Sequence, residues 1–310
     1  MYSIEKSLTL REAVFENGII DTMSSLQCPT KEVYESKCKF FLASSKQDFG
    51  QYQVSFQNHA IPFFISICHE ELPYAKHCGL KGLLQLFSKT YSIYEIFFQQ
   101  SLLSVISEGL RSNHKKLRRT CANFLYQISQ VPDFPFEEFD KFDIISDVLS
   151  CFRWDDTKVI INLMQMLRVW TMNGQEYVHD LILRMISNDF WNIFNSCSFG
   201  IKVLLIPLLR EFAMKSTEED ANEFFNETII EMMSECVFSG VEVASDVAYT
   251  MNCLITKINT DDFTQMVTGI FEQNGALNTL EEIAKENGEN EVGETVTTFL
   301  DLVSEPQENT

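Results

Sequence analysis

The sequence is poor in residues that make tight turns, since its 310 residues include only 12 glycines and seven prolines. An all-β fold needs many such turns, and this composition argues against one. The frequent residues are instead Leu, Ile, Phe, Met, Glu and Ser, and the apolar content of 45% is sufficient for a full core. We therefore expect an all-α protein in which helices pack on helices.

Long apolar runs are also missing. The longest one, residues 203–209, is far shorter than the roughly 20 residues of a membrane-spanning helix. The N-terminal residues show no basic region followed by an apolar run, which predicts no secretory signal. The nine cysteines, an odd number without C-x-x-C spacing, are typical of buried thiols in a reducing compartment. We expect a cytoplasmic protein, a nuclear protein or one found in both places, with no membrane partner.

Signatures of catalysis and of metal binding are absent from the sequence. It contains no Walker A loop, G-x-G-x-x-G, H-E-x-x-H or G-x-S-x-G. Cys68, His69, His77 and Cys78 resemble zinc ligands, but each Cys–His pair is adjacent, and neighbouring side chains on a helix diverge by about 100°. We predict a protein that is not an enzyme, with no metal, no cofactor and no small-molecule substrate.

A helical pattern recurs about every 42 residues. Each copy has a large apolar residue, two variable positions, a second apolar residue, and then a small or β-branched one. The i, i+3 spacing places both apolar residues on one helix face. The copies are Leu84–Phe87–Ser88, Leu125–Ile128–Ser129, Leu167–Trp170–Thr171, Leu209–Phe212–Ala213 and Met251–Leu254–Ile255, with a weaker first copy at Phe40–Ala43–Ser44. A period of this length predicts stacked helical units.

A partner helix is predicted before each recurring helix, at residues 60–68, 102–110, 144–151 and 276–284, and less regularly at 177–186 and 223–233. Pro62 is predicted to occupy the first turn of its helix, where the missing N–H has no cost. A short extra helix is predicted at residues 190–194, and Thr30 is predicted to cap a helix that ends at Ser44.

With this period, the openings HAIPFF (59–64) and GALNTL (275–280) and the helix ends GLKGLLQLFS (79–88) and CANFLYQIS (121–129) resemble the armadillo-repeat family. HEAT repeats are the near alternative. The resemblance implies a right-handed α-solenoid superhelix of about six armadillo-like helical repeats. It also implies a concave groove lined by the recurring helices. We predict an N-terminal cap (1–29), a repeat domain (30–304) and a disordered tail (305–310).

Armadillo proteins that import nuclear cargo hold basic peptides with a ladder of Trp and Asn residues, one turn apart. Projected onto this chain, that ladder falls on Gly82 and Leu86, Asn123 and Gln127, Gln165 and Val169, Pro207 and Glu211, and Tyr249 and Cys253. No pair is Trp and Asn, and the N-terminus has no basic autoinhibitory segment. A nuclear-transport cargo adaptor is therefore the disfavoured alternative.

The predicted groove still carries polar side chains that could bind an extended peptide through its backbone and charges. The resemblance places seven candidate residues there: Tyr126, Gln127, Arg168, Arg210, Glu211, Tyr249 and Asn252. An ordinary solvated helix face is the alternative interpretation.

A basic cluster lies where we expect a helix to begin, with Asn113 as its N-cap. Its cations are Arg111, Lys115, Lys116, Arg118 and Arg119. Positive charge is unfavourable at that end of a helix. This predicts contact with an anionic partner or with the acidic part of another copy. Solvated residues in a helix connection are the alternative interpretation.

The charge of the chain is uneven. Residues 216–310 contain 21 acidic residues and two basic ones, whereas the first 215 residues contain 23 acidic and 22 basic residues. The acidic third either keeps the protein soluble or attracts a basic segment. Phosphate repulsion argues against nucleic acid as a partner. We expect a scaffold or adaptor that binds another protein or peptide in its groove.

Overall fold

The structure is a computed structural model. It describes residues 13–28, 30–88, 100–131, 141–154, 156–172, 175–187, 190–288 and 290–304. These residues are mainly helical and contain no β-strand. The tail (305–310) and residues 1–12 and 29 of the predicted N-terminal cap lie outside the described residues, so the predicted domain boundaries stay predictions.

The chain divides into two compact units, residues 1–147 and 148–310. Helix α7 (Ile144–Ser150) contains the boundary between them. The other helices of the N-terminal unit are α1 (Ile19–Ser25), α2 (Lys31–Ser44), α3 (Gln53–Cys68), α4 (Pro73–Phe87), α5 (Gln100–Arg111) and α6 (Lys115–Ser129).

The C-terminal unit continues in the same all-α manner. Its helices are α8 (Thr157–Thr171), α9 (Gln175–Ser187), α10 (Phe190–Ser196), α11 (Phe199–Lys215), α12 (Glu218–Phe224), α13 (Glu227–Cys236), α14 (Val241–Ile258), α15 (Asp261–Gln273), α16 (Ala276–Asn287) and α17 (Glu291–Ser304). The short extra helix predicted near residue 190 is confirmed as α10.

Side-chain caps fix several helix starts. Thr30 accepts a hydrogen bond from the backbone N–H of Val33 at the start of α2, as predicted. At α12, Thr217 and Asp220 form a reciprocal capping box. Each such cap contributes about 1 kcal/mol, so the sequence specifies these boundaries locally.

The recurring apolar pattern forms the core, as predicted. Its two large residues are buried in each copy from α4 to α14, including Leu125 and Ile128 on α6 and Leu209 and Phe212 on α11. Complete burial of such a side chain contributes about 1.5–3 kcal/mol. The recurring helices also pack on one another, α4 on α6 in the N-terminal unit and α8, α11 and α14 in succession in the C-terminal unit, where α17 packs on α14. Each unit is therefore a stack of repeats in which a helix contacts its nearest neighbours.

Two lysines join successive recurring helices in the C-terminal unit. Lys215, at the end of α11, donates from Nζ to the carbonyl oxygen of Thr171, the last residue of α8, at 3.2 Å. Lys257 on α14 donates to the carbonyl oxygens of Ala213 and Ser216, at 2.5 and 2.6 Å, where α11 ends. Positive charge stabilises the C-terminal end of a helix, so each lysine caps the recurring helix before its own.

Two predicted helices have different limits in the structure. Pro62 lies inside α3, well beyond its first turn, because the helix already begins at Gln53. The predicted helix 223–233 is divided, because Phe225 leaves the helical conformation and Asn226 caps the following helix through the N–H of Ile229. An internal Asn competes well as an N-cap, which interrupts a run that is apolar enough to continue.

Helices α3 and α4 approach closely at two glycines. A Cβ on Gly79 would lie 2.5 Å from Cys68 Sγ and 2.7 Å from the carbonyl oxygen of Phe64. A Cβ on Gly82 would lie 2.3 Å from the ring of Phe64. Because glycine has no side chain, Gly79 and Gly82 permit this contact between the two helices of one repeat.

None of the described helices is both long enough and apolar enough to cross a membrane. All nine cysteines are free thiols, and seven of them are buried.

Candidate functional site

The recurring helices of the C-terminal unit carry a row of paired polar side chains, which we call the polar ladder. It consists of the side chains of Arg168 on α8, Arg210 and Glu211 on α11, and Asp246, Tyr249 and Asn252 on α14, and it ends at the backbone carbonyl of Thr295 on α17. Five of these are predicted groove residues, and the stacking of α8, α11, α14 and α17 brings them together.

The first step of the polar ladder is a carboxylate between two cations. Glu211 Oε1 lies 3.7 Å from Arg168 Nη2, and its Oε2 lies 3.1 Å from Lys215 Nζ. Glu211 is mostly buried, whereas Arg168 is more than one-third exposed. The carboxylate therefore positions the guanidinium of the neighbouring helix.

The second step repeats this arrangement one helix later. Arg210 Nη1 donates to Asp246 Oδ1 at 2.5 Å, and its guanidinium carbon lies 4.3 Å from the centre of the Tyr249 ring. Guanidinium stacking on an aromatic ring adds about 0.5–1 kcal/mol at a partly exposed site. The Tyr249 hydroxyl lies 3.5 Å from Met214 Sδ, which holds the ring in place.

The third step ends on α17. Asn252 Nδ2 donates to the backbone carbonyl of Thr295 at 3.0 Å. Its Oδ1, together with Arg168 Nε and Arg210 Nε, is buried without a hydrogen-bond partner among the described residues. A buried polar atom without a partner costs about 1–3 kcal/mol, so three such atoms on one face are notable.

The polar ladder is less cationic than the sequence suggested. Both of its arginines are neutralised by carboxylates that lie 43 and 36 residues later in the chain, Glu211 and Asp246. The other two predicted groove residues, Tyr126 and Gln127, lie on α6 in the N-terminal unit, where Tyr126 is half-buried and Gln127 exposed.

The predicted basic cluster does not form a single patch. Arg111 Nε donates to Asp147, which also accepts from Ser107 Oγ at 2.6 Å. Arg118 is buried, and its Nη1 donates to the carbonyl of Ser112 at 2.5 Å. These two arginines therefore hold the ends of α5 and α6 in place.

The other three cations of the basic cluster, Lys115, Lys116 and Arg119, lie nearer to solvent. The N-cap of α6 is His114 and not the predicted Asn113, since His114 Nδ1 accepts from the N–H of Leu117. An imidazole nitrogen replaces the usual oxygen at this position.

The projected Trp–Asn register is wrong on α4. Leu86 is fully buried and Gly82 packs against Phe64, so neither faces a groove. Lys81 and Gln85, 42 residues before Asn123 and Gln127, take those places. The corrected pair is again not Trp and Asn.

Three of the four residues that resembled a zinc site are buried or hydrogen-bonded, and the fourth, His69, is exposed. Cys68 and Cys78 are buried, and burial raises the pKa of the Cys68 thiol to about 12, so it stays protonated at neutral pH. Nδ1 of His77 lies 2.7 Å from Thr120 Oγ1. No group of three or more possible metal ligands occurs in the described part of the chain.

No family model matches the sequence, and no curated protein matches it significantly. Solved structures do match the fold. An engineered protein aligns with a TM-score of 0.67 at 12% identity, over 96% of this chain and 71% of its own.

Designed armadillo repeat proteins also match. One, solved in complex with the peptide (KR)4, gives a TM-score of 0.60 at 12% identity, over 79% of this chain and 99% of its own. Another, computationally designed for modular peptide recognition, gives 0.62 at 12% identity, over 78% and 99% of the two chains. At such identities the likeness concerns the fold alone, and this chain is an all-α, armadillo-like repeat solenoid.

Proposed function

We propose that this protein is a non-catalytic scaffold that holds an extended protein segment against the polar ladder of its C-terminal unit. The fold is typical of protein-binding scaffolds, and two of the designed proteins that share it are described as binding or recognising peptides. The observation that carries the proposal is the ladder itself. Its arginines and Asn252 are held by partners on neighbouring helices before any ligand arrives.

Such preorganisation favours binding. Ordering a long side chain on association costs about 0.5–1.5 kcal/mol, and in the polar ladder the ion pairs and the Tyr249 ring have already ordered Arg168 and Arg210. The unpartnered atoms Arg168 Nε, Arg210 Nε and Asn252 Oδ1 add donors and an acceptor that a peptide backbone could use after small side-chain rotations.

The charges of the polar ladder indicate the kind of segment. Because each arginine faces a carboxylate, the face is close to neutral and favours neither a strongly basic nor a strongly acidic ligand. We infer recognition of the backbone and of polar or mixed-charge side chains. An import adaptor is not proposed, because no corrected position pair is Trp and Asn. We further propose a cytoplasmic or nuclear location, which suits nine free thiols.

The test is a selection of linear 12-residue peptides from a displayed library against the full chain. Selected peptides are then measured by fluorescence anisotropy against Arg210→Ala, Tyr249→Ala and the control Lys285→Ala on α16. We expect at least a tenfold loss of affinity for the two ladder variants and less than a twofold change for the control. Selected peptides that bind all four proteins equally would remove the polar ladder as the site.

A further inference from the structure

A second surface lies in the N-terminal unit, between the recurring helices α4 and α6. Between them is a cavity of about 380 Å³ that is open to solvent. Its lining consists of His77, Lys81 and Leu84 from α4 and Lys116, Arg119, Thr120 and Asn123 from α6. We call it the cationic pocket.

The back of the cationic pocket is polar and fixed. Thr120 Oγ1 donates to the carbonyl oxygen of Lys116 at 3.0 Å, so its single proton is already used. His77 Nδ1 lies 2.7 Å from Thr120 Oγ1, and the tautomer with the proton on Nδ1 satisfies both contacts of the hydroxyl. Burial, followed by the charges of Lys81, His114 and Lys116, lowers the pKa of His77 to about 4, so the ring is neutral at physiological pH.

The positive charge of the pocket comes from Lys81, Lys116 and Arg119, and no acidic side chain is among the described residues that line it. Lys81 and Lys116 are exposed, and neither forms an ion pair with any other residue in the described ranges. These two lysines differ from the arginines of the polar ladder, which Glu211 and Asp246 neutralise.

The position on α6 adds to the positive potential. Lys116 and Arg119 belong to the first two turns of this 15-residue helix, where the helix dipole is also positive. An anion at this place would be attracted by the three side chains and by the dipole together. It would also relieve the repulsion among the cations.

We propose that the cationic pocket binds a carboxylate or phosphate side chain of an acidic protein segment. Lys81, Lys116 and Arg119 supply the charge, and the Asn123 amide supplies a directional hydrogen bond. The inference rests on the proposed function only in taking the ligand to be a protein segment. A short acidic segment suits this chain better than a polyanion such as nucleic acid, because residues 216–310, with 21 acidic and two basic residues, repel extended negative charge.

The experiment uses the full chain and four fluorescein-labelled probes of equal length: a 12-residue peptide with four central Glu residues, its Gln counterpart, its phosphoserine counterpart, and a (dT)12 oligonucleotide. Anisotropy titrations compare the unchanged protein with K81Q/K116Q. The matched control, K158Q/K285Q, removes two exposed lysine charges from the C-terminal unit. Circular dichroism verifies the helicity of each variant.

We expect the Glu or phosphoserine peptide to bind, with a Kd at least tenfold higher for K81Q/K116Q and less than threefold higher for the control. The stronger of these two peptides identifies carboxylate or phosphate as the preferred group. Binding should weaken as NaCl rises from 50 to 300 mM, since the attraction is electrostatic. The Gln peptide should not bind.

The proposal is overturned if neither anionic peptide binds, if the Gln peptide binds equally well, if K81Q/K116Q has no selective effect, or if (dT)12 binds in preference to the peptides. These outcomes are distinct from failure at the polar ladder. Peptides that lose affinity for Arg210→Ala but not for K81Q/K116Q would retain the proposed function and reject the pocket.

Discussion

His77 and His179 lie in opposite electrostatic surroundings. His179 Nδ1 is 2.5 Å from Asp220 Oδ1, and this hydrogen bond, followed by the negative charge of Asp220, raises the pKa of His179 above the ordinary 6.5. Burial, followed by nearby positive charges, lowers the pKa of His77 to about 4. In an NMR titration, His179 should therefore titrate above 6.5 and His77 well below it. His77→Gln and His179→Gln identify the two resonances, and equal midpoints would contradict the contact geometry.

The raised pKa of His179 also makes a prediction about stability. Its pair with Asp220 contributes fully below pH 6.5, where the imidazole is charged in both the folded and unfolded states. The contribution is lost as the pH rises through the raised pKa of the folded state. His179→Gln should therefore destabilise the protein more at pH 5.5 than at pH 9, as measured by urea unfolding. A pH-independent difference would show that the pair adds no linked stability.

Gly79 permits the close approach of α3 and α4, and a side chain there should be costly. In Gly79→Ala the new methyl group would meet the Phe64 carbonyl, which is backbone and moves only with its helix. We expect a loss of about 1–3 kcal/mol in the free energy of unfolding. Gly269→Ala on α15 is the matched control, because nothing lies within 4 Å of its Cβ, and it should stabilise by up to about 1 kcal/mol. Thermal unfolding of both variants measures the contrast, and equal shifts would contradict it.

At the scale of elements, the 42-residue pattern predicted the recurring helices well, because it depends on local apolar spacing that burial then confirms. Helix starts were predicted only where a cap was evident, as at Thr30. The start of α3 was missed because Pro62 is usually a helix-start signal, whereas here the packed helix tolerates it inside. On α4 the predicted register was wrong by one residue, so Gly82 and Leu86 were assigned to the groove although they lie in the core.

The candidate site was predictable in its positions but not in its electrostatics. Arg168, Arg210 and Tyr249 follow from the period. The pairing of Arg168 with Glu211 and of Arg210 with Asp246 does not follow, because each carboxylate is one repeat away and its place depends on how far α11 or α14 is rotated. Lys81 could have been found from the 42-residue offset to Asn123. The cavity between α4 and α6 required the structure.

Lys257 connects α14 to the end of α11, and its removal should therefore weaken the packing of these two helices. Lys257→Met keeps the aliphatic stem but leaves the carbonyls of Ala213 and Ser216 without their donor. We expect a loss of about 1–3 kcal/mol in urea unfolding. In Lys285→Met, which removes only an exposed pair with Glu281, the change should stay within about 0.5 kcal/mol. Similar losses in both variants would show that the cap has no special contribution.

At the scale of the whole molecule, charge is concentrated towards the C-terminus, with 21 acidic and two basic residues in 216–310. Self-repulsion at this density should destabilise the C-terminal unit at low ionic strength. All three tryptophans lie between residues 154 and 191, in that unit, and Trp170 is buried. The urea midpoint from tryptophan fluorescence should therefore rise between 20 and 300 mM NaCl, as screening increases.

A triple variant provides the control for this salt effect. Glu272, Glu282 and Glu286 are exposed, and their replacement by Gln should raise the midpoint at 20 mM NaCl and reduce its dependence on salt. A midpoint that falls with salt, or a triple variant that behaves like the unchanged chain, would mean that ion pairs outweigh self-repulsion.

The lysines on α11 and α14 give the C-terminal unit a mechanical polarity, because each caps the recurring helix before its own. Extraction of α14 removes Lys257 from the end of α11, and loss of α11 in turn removes Lys215 from the end of α8. When the unit is pulled from its C-terminal side, removal of α14 thus weakens α11, and removal of α11 weakens α8. Extraction from α8 onwards removes no lysine cap from α11 or α14. An ATP-driven unfoldase should therefore unravel this unit with less work from its C-terminal end than from its N-terminal end.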